Sequence, residues 1–177
     1  MSALETAARP LLSEAILHGS AFSLERNDAV TIARWLFKFA VIGDGMRGPR
    51  QPELYSRDER HLFARTLALP PGTFAWMARV PPGGGFFRGM YGESDPEFAH
   101  IFKLNAFTFV LNSLLFQIVT VRGRRTEDFD LCRTGAWDLV STRFWPATDE
   151  SAEWPPGAFI DDPKAIPASS TGGRTPG

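Results

Sequence analysis

The stretch from Phe98 to Arg122, FAHIFKLNAFTFVLNSLLFQIVTVR, decides how the chain is read. It contains the longest apolar run, Phe107 to Val121, broken by Asn112, Ser113 and Gln117. That run is too short and too interrupted to cross a bilayer as a helix. The pattern predicts two long antiparallel strands, Phe98 to Leu111 and Leu114 to Arg122, around Asn112-Ser113. Upstream, Pro70-Pro71-Gly72 stops a helical period, and a period of two begins. Thr73 to Val80 reads as a strand, Pro81 to Gly85 as a turn or bulged loop, and Phe86 to Tyr91 as a further strand.

The preceding part has helical spacing. Leu4, Ala8, Leu11, Leu12, Ala15 and Ile16 predict an amphipathic helix over Ser2 to Leu17, ended by His18-Gly19. Pro10 either kinks it or opens a second helix at its first turn. A second helix starts near Ser23 or Asn27 and runs to Ile42, where Gly43-Asp44-Gly45 is expected to break it. It is apolar on most sides, as central helices are. Ser56-Arg57-Asp58-Glu59 is a capping box, so a short helix follows to about Leu67. After Arg125 the pattern fades. Trp137 to Trp145 holds room for one short element, and Trp154-Pro155-Pro156 reads as an anchored irregular segment. The expected architecture is α+β, with three N-terminal helices packed on an antiparallel sheet of about four strands. Residues 1–160 form the domain, and the Pro/Gly/Ser-rich 161–177 is expected to be a disordered tail.

The 177 residues suffice for one domain with a real core. Cys132 is the only cysteine, which excludes an internal disulfide and a Cys-rich zinc knuckle. A reducing, cytoplasmic setting is the expectation. Met1 to Leu12 lacks the pattern of a signal peptide, with Glu5 and Arg9 where apolar residues would stand. Charge is uneven. Residues 1–125 carry 15 Lys+Arg against 11 Asp+Glu, giving +4, and residues 126–177 carry 4 against 9, giving −5. A basic body with an acidic end is compatible with nucleic acid or an acidic partner, and equally with ordinary solvated surface.

Catalytic signatures are missing. His18 reads as a helix-end cation and His61 as an exposed residue of a charged helix. His100 lies in phase with Phe98 and Phe102, which suits the edge of a core better than catalysis. Glu93, Asp95 and Glu97 alternate, but Gly92 to Pro96 has the composition of a loop. Gly83-Gly84-Gly85 lacks the Lys-Ser/Thr of a phosphate loop. No enzyme activity, cofactor or metal is expected. The binding candidates are basic. Arg47, Arg50, Arg57 and Arg60 surround the second loop and third helix, Arg122, Arg124 and Arg125 follow the hairpin, and Lys38 adds to them. Phe86, Phe87 and Arg88 would put aromatics beside a cation at a Gly-rich loop tip, where they could stack on bases or serve simply as core.

The chain also resembles the region C-terminal to the zinc-binding segment of bacterial and phage HNH-endonuclease-like proteins. The similarity runs through Met1-Ser2-Ala3-Leu4-Glu5, Arg9-Pro10-Leu11-Leu12 and Ile32 to Lys38. It continues with Pro70 to Thr73, Trp76-Met77-Ala78-Arg79, Trp145-Pro146 and Trp154-Pro155-Pro156. In that group the Cys and His ligands lie upstream of the position of Met1, so no ligand or catalytic residue carries over. The resemblance implies an accessory part standing alone, with Met1 matching an internal methionine. The expected function is a non-catalytic binding module contacting nucleic acid or a nuclease partner. The alternative is a phage-encoded inhibitor of a host defence nuclease, acting as a nucleic-acid mimic.

Overall fold

Ala3–His18 forms α1, which buries Ala8, Leu12 and Ala15 on one stripe. Pro10 sits inside the helix on its exposed side and does not divide it. Gly19 takes φ +67, and its N–H returns to the Ala15 carbonyl at 3.0 Å, a glycine termination of the helix. These elements belong to a computed structural model that describes residues 3–46, 55–83, 85–93, 102–123, 130–133, 140–147, 151–155 and 171–174.

A short strand, β1 (Phe22–Glu25), follows. Then α2 (Arg26–Gly45) buries Ala29, Ile32, Ala33, Leu36, Phe37 and Ala40. The helix does not break at Gly43-Asp44-Gly45 as the glycines suggest. It continues to Gly45, because Asp44 is buried there and finds polar partners. The third helix, α3 (Arg57–Thr66), is set by the capping box legible in the sequence. Ser56 Oγ accepts from Glu59 N at 3.3 Å, and the Glu59 carboxylate accepts from Ser56 N at 2.8 Å.

The main sheet joins β2 (Thr73–Arg79), β3 (Gly85–Glu93), β4 (Phe102–Leu111), β5 (Leu114–Gly123) and, later in the chain, β7 (Ser141–Trp145). Its order is β3-β4-β5-β2-β7, and all described pairings are antiparallel. Among the described residues the class is therefore α+β with three helices, as expected. The sheet has five strands where about four were expected, and the helices are not strictly first, since β1 stands between α1 and α2. Strand β1 pairs with β8 (Ser151–Trp154) in a separate ribbon. A second ribbon pairs β6 (Asp130–Arg133) with β9 (Thr171–Arg174), which falls inside the stretch expected to be a disordered tail.

The sheet is buried on both faces. Ala75, Met77, Phe107, Phe109, Phe116 and Ile118 share a core with Ile32, Leu36 and Phe37 of α2. The opposite face buries Phe74, Trp76, Leu104, Ala106, Val119 and Val121. Strands covered on both sides lose the polar half of the alternation, which is why Phe107 to Val121 reads as an almost unbroken apolar run. Gln117 interrupts that run without penalty: it stands opposite Thr108 and donates to the Thr108 hydroxyl at 3.0 Å. Asn112, at φ +55 in the hairpin turn, donates from Nδ2 to the Ile16 carbonyl at 2.6 Å and accepts from Gly83 N at 3.3 Å. It thereby satisfies a carbonyl of α1's last turn and fixes the hairpin tip to that helix.

Trp154 anchors the late ribbon. It is fully buried, its ring lies 5.4 Å from Phe22, and its indole N–H donates to the Ala78 carbonyl at 3.3 Å. We expect Trp154→Ala to cost about 3–5 kcal/mol through the cavity it leaves. Trp154→Phe should cost roughly 1–3 kcal/mol, from the lost hydrogen bond and volume. Urea unfolding midpoints check both values, and a Trp154→Ala cost below that of Trp154→Phe would contradict the anchoring role.

Candidate nucleic-acid interface

The basic candidates divide once their partners are located. Lys38 extends from α2 to Glu5 of α1, with Nζ 2.7 Å from the carboxylate. Arg60 turns inward and donates to Asp44 at 2.7 Å and to the Tyr55 carbonyl at 3.0 Å. Arg122, near the end of β5, lies 2.7 Å from Glu59 and 5.4 Å from the Tyr55 ring. Arg57 is exposed in the first turn of α3. Arg47, Arg50, Arg124 and Arg125 lie outside the described residues, as do His100, Asp95 and Glu97.

The Glu59–Arg122 contact joins two groups that the sequence leaves far apart. It sets the start of α3 against the end of β5, so Arg57, Arg60 and Arg122 share one end of the domain. The strand register places Lys103 directly opposite Arg122 at that same end. Like charges facing each other across a ladder oppose pairing. The register also sets Glu93 of β3 opposite Lys103, and Glu59 lies against Arg122. The aromatic candidates are elsewhere. Phe86, Phe87 and Arg88 lie within β3, opposite Val110, Phe109 and Thr108, rather than at a loop tip. Phe87 is six register positions from the Lys103–Arg122 pair, roughly 20 Å along the sheet. Stacking residues and the clustered cations therefore do not form one contiguous site.

Beneath the basic end is a buried polar cluster. The Asp44 side chain is 1% exposed and accepts from Arg60 and from Tyr55 N, the latter at 3.2 Å. Tyr55 is fully buried and edge-on to Phe37, with ring centroids 4.8 Å apart. Burial pushes its phenol up to about 12; the Thr120 hydroxyl and the Arg122 guanidinium lower it without offsetting that, and Asp44 and Glu59 raise it. Among the described residues the Tyr55 hydroxyl finds no hydrogen-bond partner of good geometry. Thr120 lies 3.4 Å from the Thr73 hydroxyl, which donates to the Pro70 carbonyl at 2.7 Å. This chemistry is that of a clasp: every charged member has an opposite charge or a backbone partner.

Two residues of α3 escaped the sequence reading as contact residues. His61 and Arg65 follow Arg57 at intervals of four, and all three are exposed. The four-residue spacing after the capping box was the available signal. Among the described residues no group of three or more His, Cys, Asp or Glu could hold a metal ion, and no helix is long and apolar enough to cross a membrane.

Two stability outcomes follow from the clasp. Asp44→Ala removes the carboxylate that accepts from Arg60 Nη2 and from the Tyr55 N–H, and should cost about 3 kcal/mol, with Asp44→Asn costing less because an acceptor remains. Chemical denaturation of the two variants reads the order, which the clasp requires. For Tyr55 the folded chain holds its proton to higher pH than the unfolded chain does. Its contribution is therefore complete below pH 10 and declines as pH rises from 10 to about 12. That decline amounts to about 3 kcal/mol at most. Tyr55→Phe should remove this part of the alkaline loss while leaving stability at pH 7 within about 1 kcal/mol. Parallel denaturation curves from pH 9 to 11.5 compare the two proteins, and identical alkaline slopes would overturn the assignment.

Comparison with known proteins finds no match: no family model, no curated protein and no solved structure is detectably similar to this chain.

Proposed function

We propose that this chain is a non-catalytic binding module in a nucleic-acid or nuclease context. The observation that carries the reading is the pair of exposed guanidinium groups, Arg57 and Arg65, on α3 at the end of the domain where Arg60 and Arg122 are held in ion pairs and the register sets Lys103. The chain leaves β5 at this end, and Arg124-Arg125 come next in sequence. The +4 balance of residues 1–125 supports the same reading. Association with a polyanion through such a surface is driven by release of counterions, so it weakens steeply with salt. Arg122 is a poor place to test the idea by charge reversal, because it holds Glu59 and so the start of α3.

The test is a titration of the purified protein against single- and double-stranded DNA and RNA at 50 and 200 mM salt. Binding that falls by at least about 10-fold between these salts is expected. Absence of binding to every probe at the lower salt would remove direct nucleic-acid contact. The acidic segment 126–177, at −5, would then favour the inhibitor reading, to be examined by pull-down against nucleases.

A further inference from the structure

We infer that the exposed face of α3, carrying Arg57, His61 and Arg65, is the surface that meets the phosphodiester backbone of a nucleic acid. The inference rests on the binding-module reading and assigns it a specific element and ligand chemistry. Residues four apart on a helix lie on one face, about 6 Å apart along the axis. The stripe from Arg57 to Arg65 is therefore about 12 Å long, enough for more than one phosphate of a strand. Among the described residues none of the three side chains forms an ion pair or hydrogen bond, and all are exposed. The opposite side of the helix is held firmly. Phe63 is buried 4.8 Å from Phe37, Arg60 reaches Asp44, and Glu59 holds both Ser56 N and Arg122. A rigid helix with free guanidinium groups on its outer face loses little order on binding, and each guanidinium can engage a phosphate through two N–H groups.

No other described element offers this combination. Arg9 on α1, Arg26 at the start of α2 and Arg79 at the end of β2 are exposed, but each stands apart from any other exposed basic side chain on its element. Arg34 and Lys38 of α2 are one turn apart, but both are half-buried and Lys38 is tied to Glu5. Asp58 is the acidic group that shares the outer side of α3, beside Arg57. It favours the helix N-terminus and opposes an incoming anion. Removing its charge should therefore tighten binding.

Fluorescence anisotropy with labelled 20-nucleotide DNA and RNA, single- and double-stranded, tests the assignment across 50–200 mM salt. Each lost phosphate contact lowers the slope of log affinity against log salt by about 0.7–0.9. Arg57→Ala with Arg65→Ala should lower it by about 1.4–1.8 and weaken binding on the order of 10-fold. The fold, read by circular dichroism, should not change. His61→Arg and Asp58→Asn should each tighten binding, by about 3-fold, and Arg9→Ala with Arg79→Ala should leave it unaltered. If the wild type binds and the Arg57/Arg65 double variant keeps its slope, the α3 assignment is wrong while the binding-module reading survives. If the wild type binds no oligonucleotide but captures a nuclease, the nucleic-acid assignment of this face is overturned. Failure to bind either kind of partner removes both proposals.

Discussion

A carboxylate removed from water has to be matched, and in this protein the matching of Asp44 organises one end of the fold. Its partners are the Arg60 guanidinium and the Tyr55 N–H, so the last turn of α2, the residue before the Ser56 cap and the first turn of α3 are fixed together. The bond also explains why α2 extends across Gly43 and Gly45, both weak helix formers. A charge this deeply buried is costly to leave alone and modest in net benefit when paired. Its value here is geometric. It sets α3 so that Glu59 faces Arg122 and Phe63 enters the core beside Phe37.

The same residues show how far the sequence could be read. The capping box at Ser56–Glu59 is local, and its geometry follows from residue types three apart. The β4–β5 hairpin is nearly as local, since Asn112 readily adopts positive φ and apolar runs flank it on both sides. Strand β1 was not legible. Four residues, FSLE, carry almost no period, and their pairing partner lies more than a hundred residues away at Ser151–Trp154. Nor was the fate of the cations. Lys38, Arg60 and Arg122 look like any surface base until Glu5, Asp44 and Glu59 are brought to them by folding. Partner choice among charges is a tertiary property, and one-dimensional charge counting cannot supply it.

That distinction bears directly on function. A positive balance of residues does not by itself say which cations a partner meets, because some of them are held in internal ion pairs while others stay exposed. Charges at an interface pay least in desolvation and reorganisation when they are exposed, unpaired and mounted on rigid backbone. In this chain the basic residues of α3 satisfy those conditions on one side of the helix, while Arg60 on the other side has been spent on Asp44. One helix thus has two kinds of arginine. The inward one fixes the helix in place, and the outward ones stay at the surface.

The separation of Phe86 and Phe87 from this end sharpens the chemistry further. Nucleic-acid surfaces that grip single strands through base stacking place aromatic groups within a nucleotide or two of the phosphate contacts. Here β3 carries Phe86 and Phe87 opposite Val110 and Phe109, many register positions from Arg122. A ligand held at the outer face of α3 would therefore be gripped by its backbone and not by its bases. Contacts of that kind carry register and affinity but little sequence information. On the proposed reading the surface is that of a sequence-tolerant module: the clasp positions the helix, the helix spaces the charges, and that spacing would suit a repeating anion.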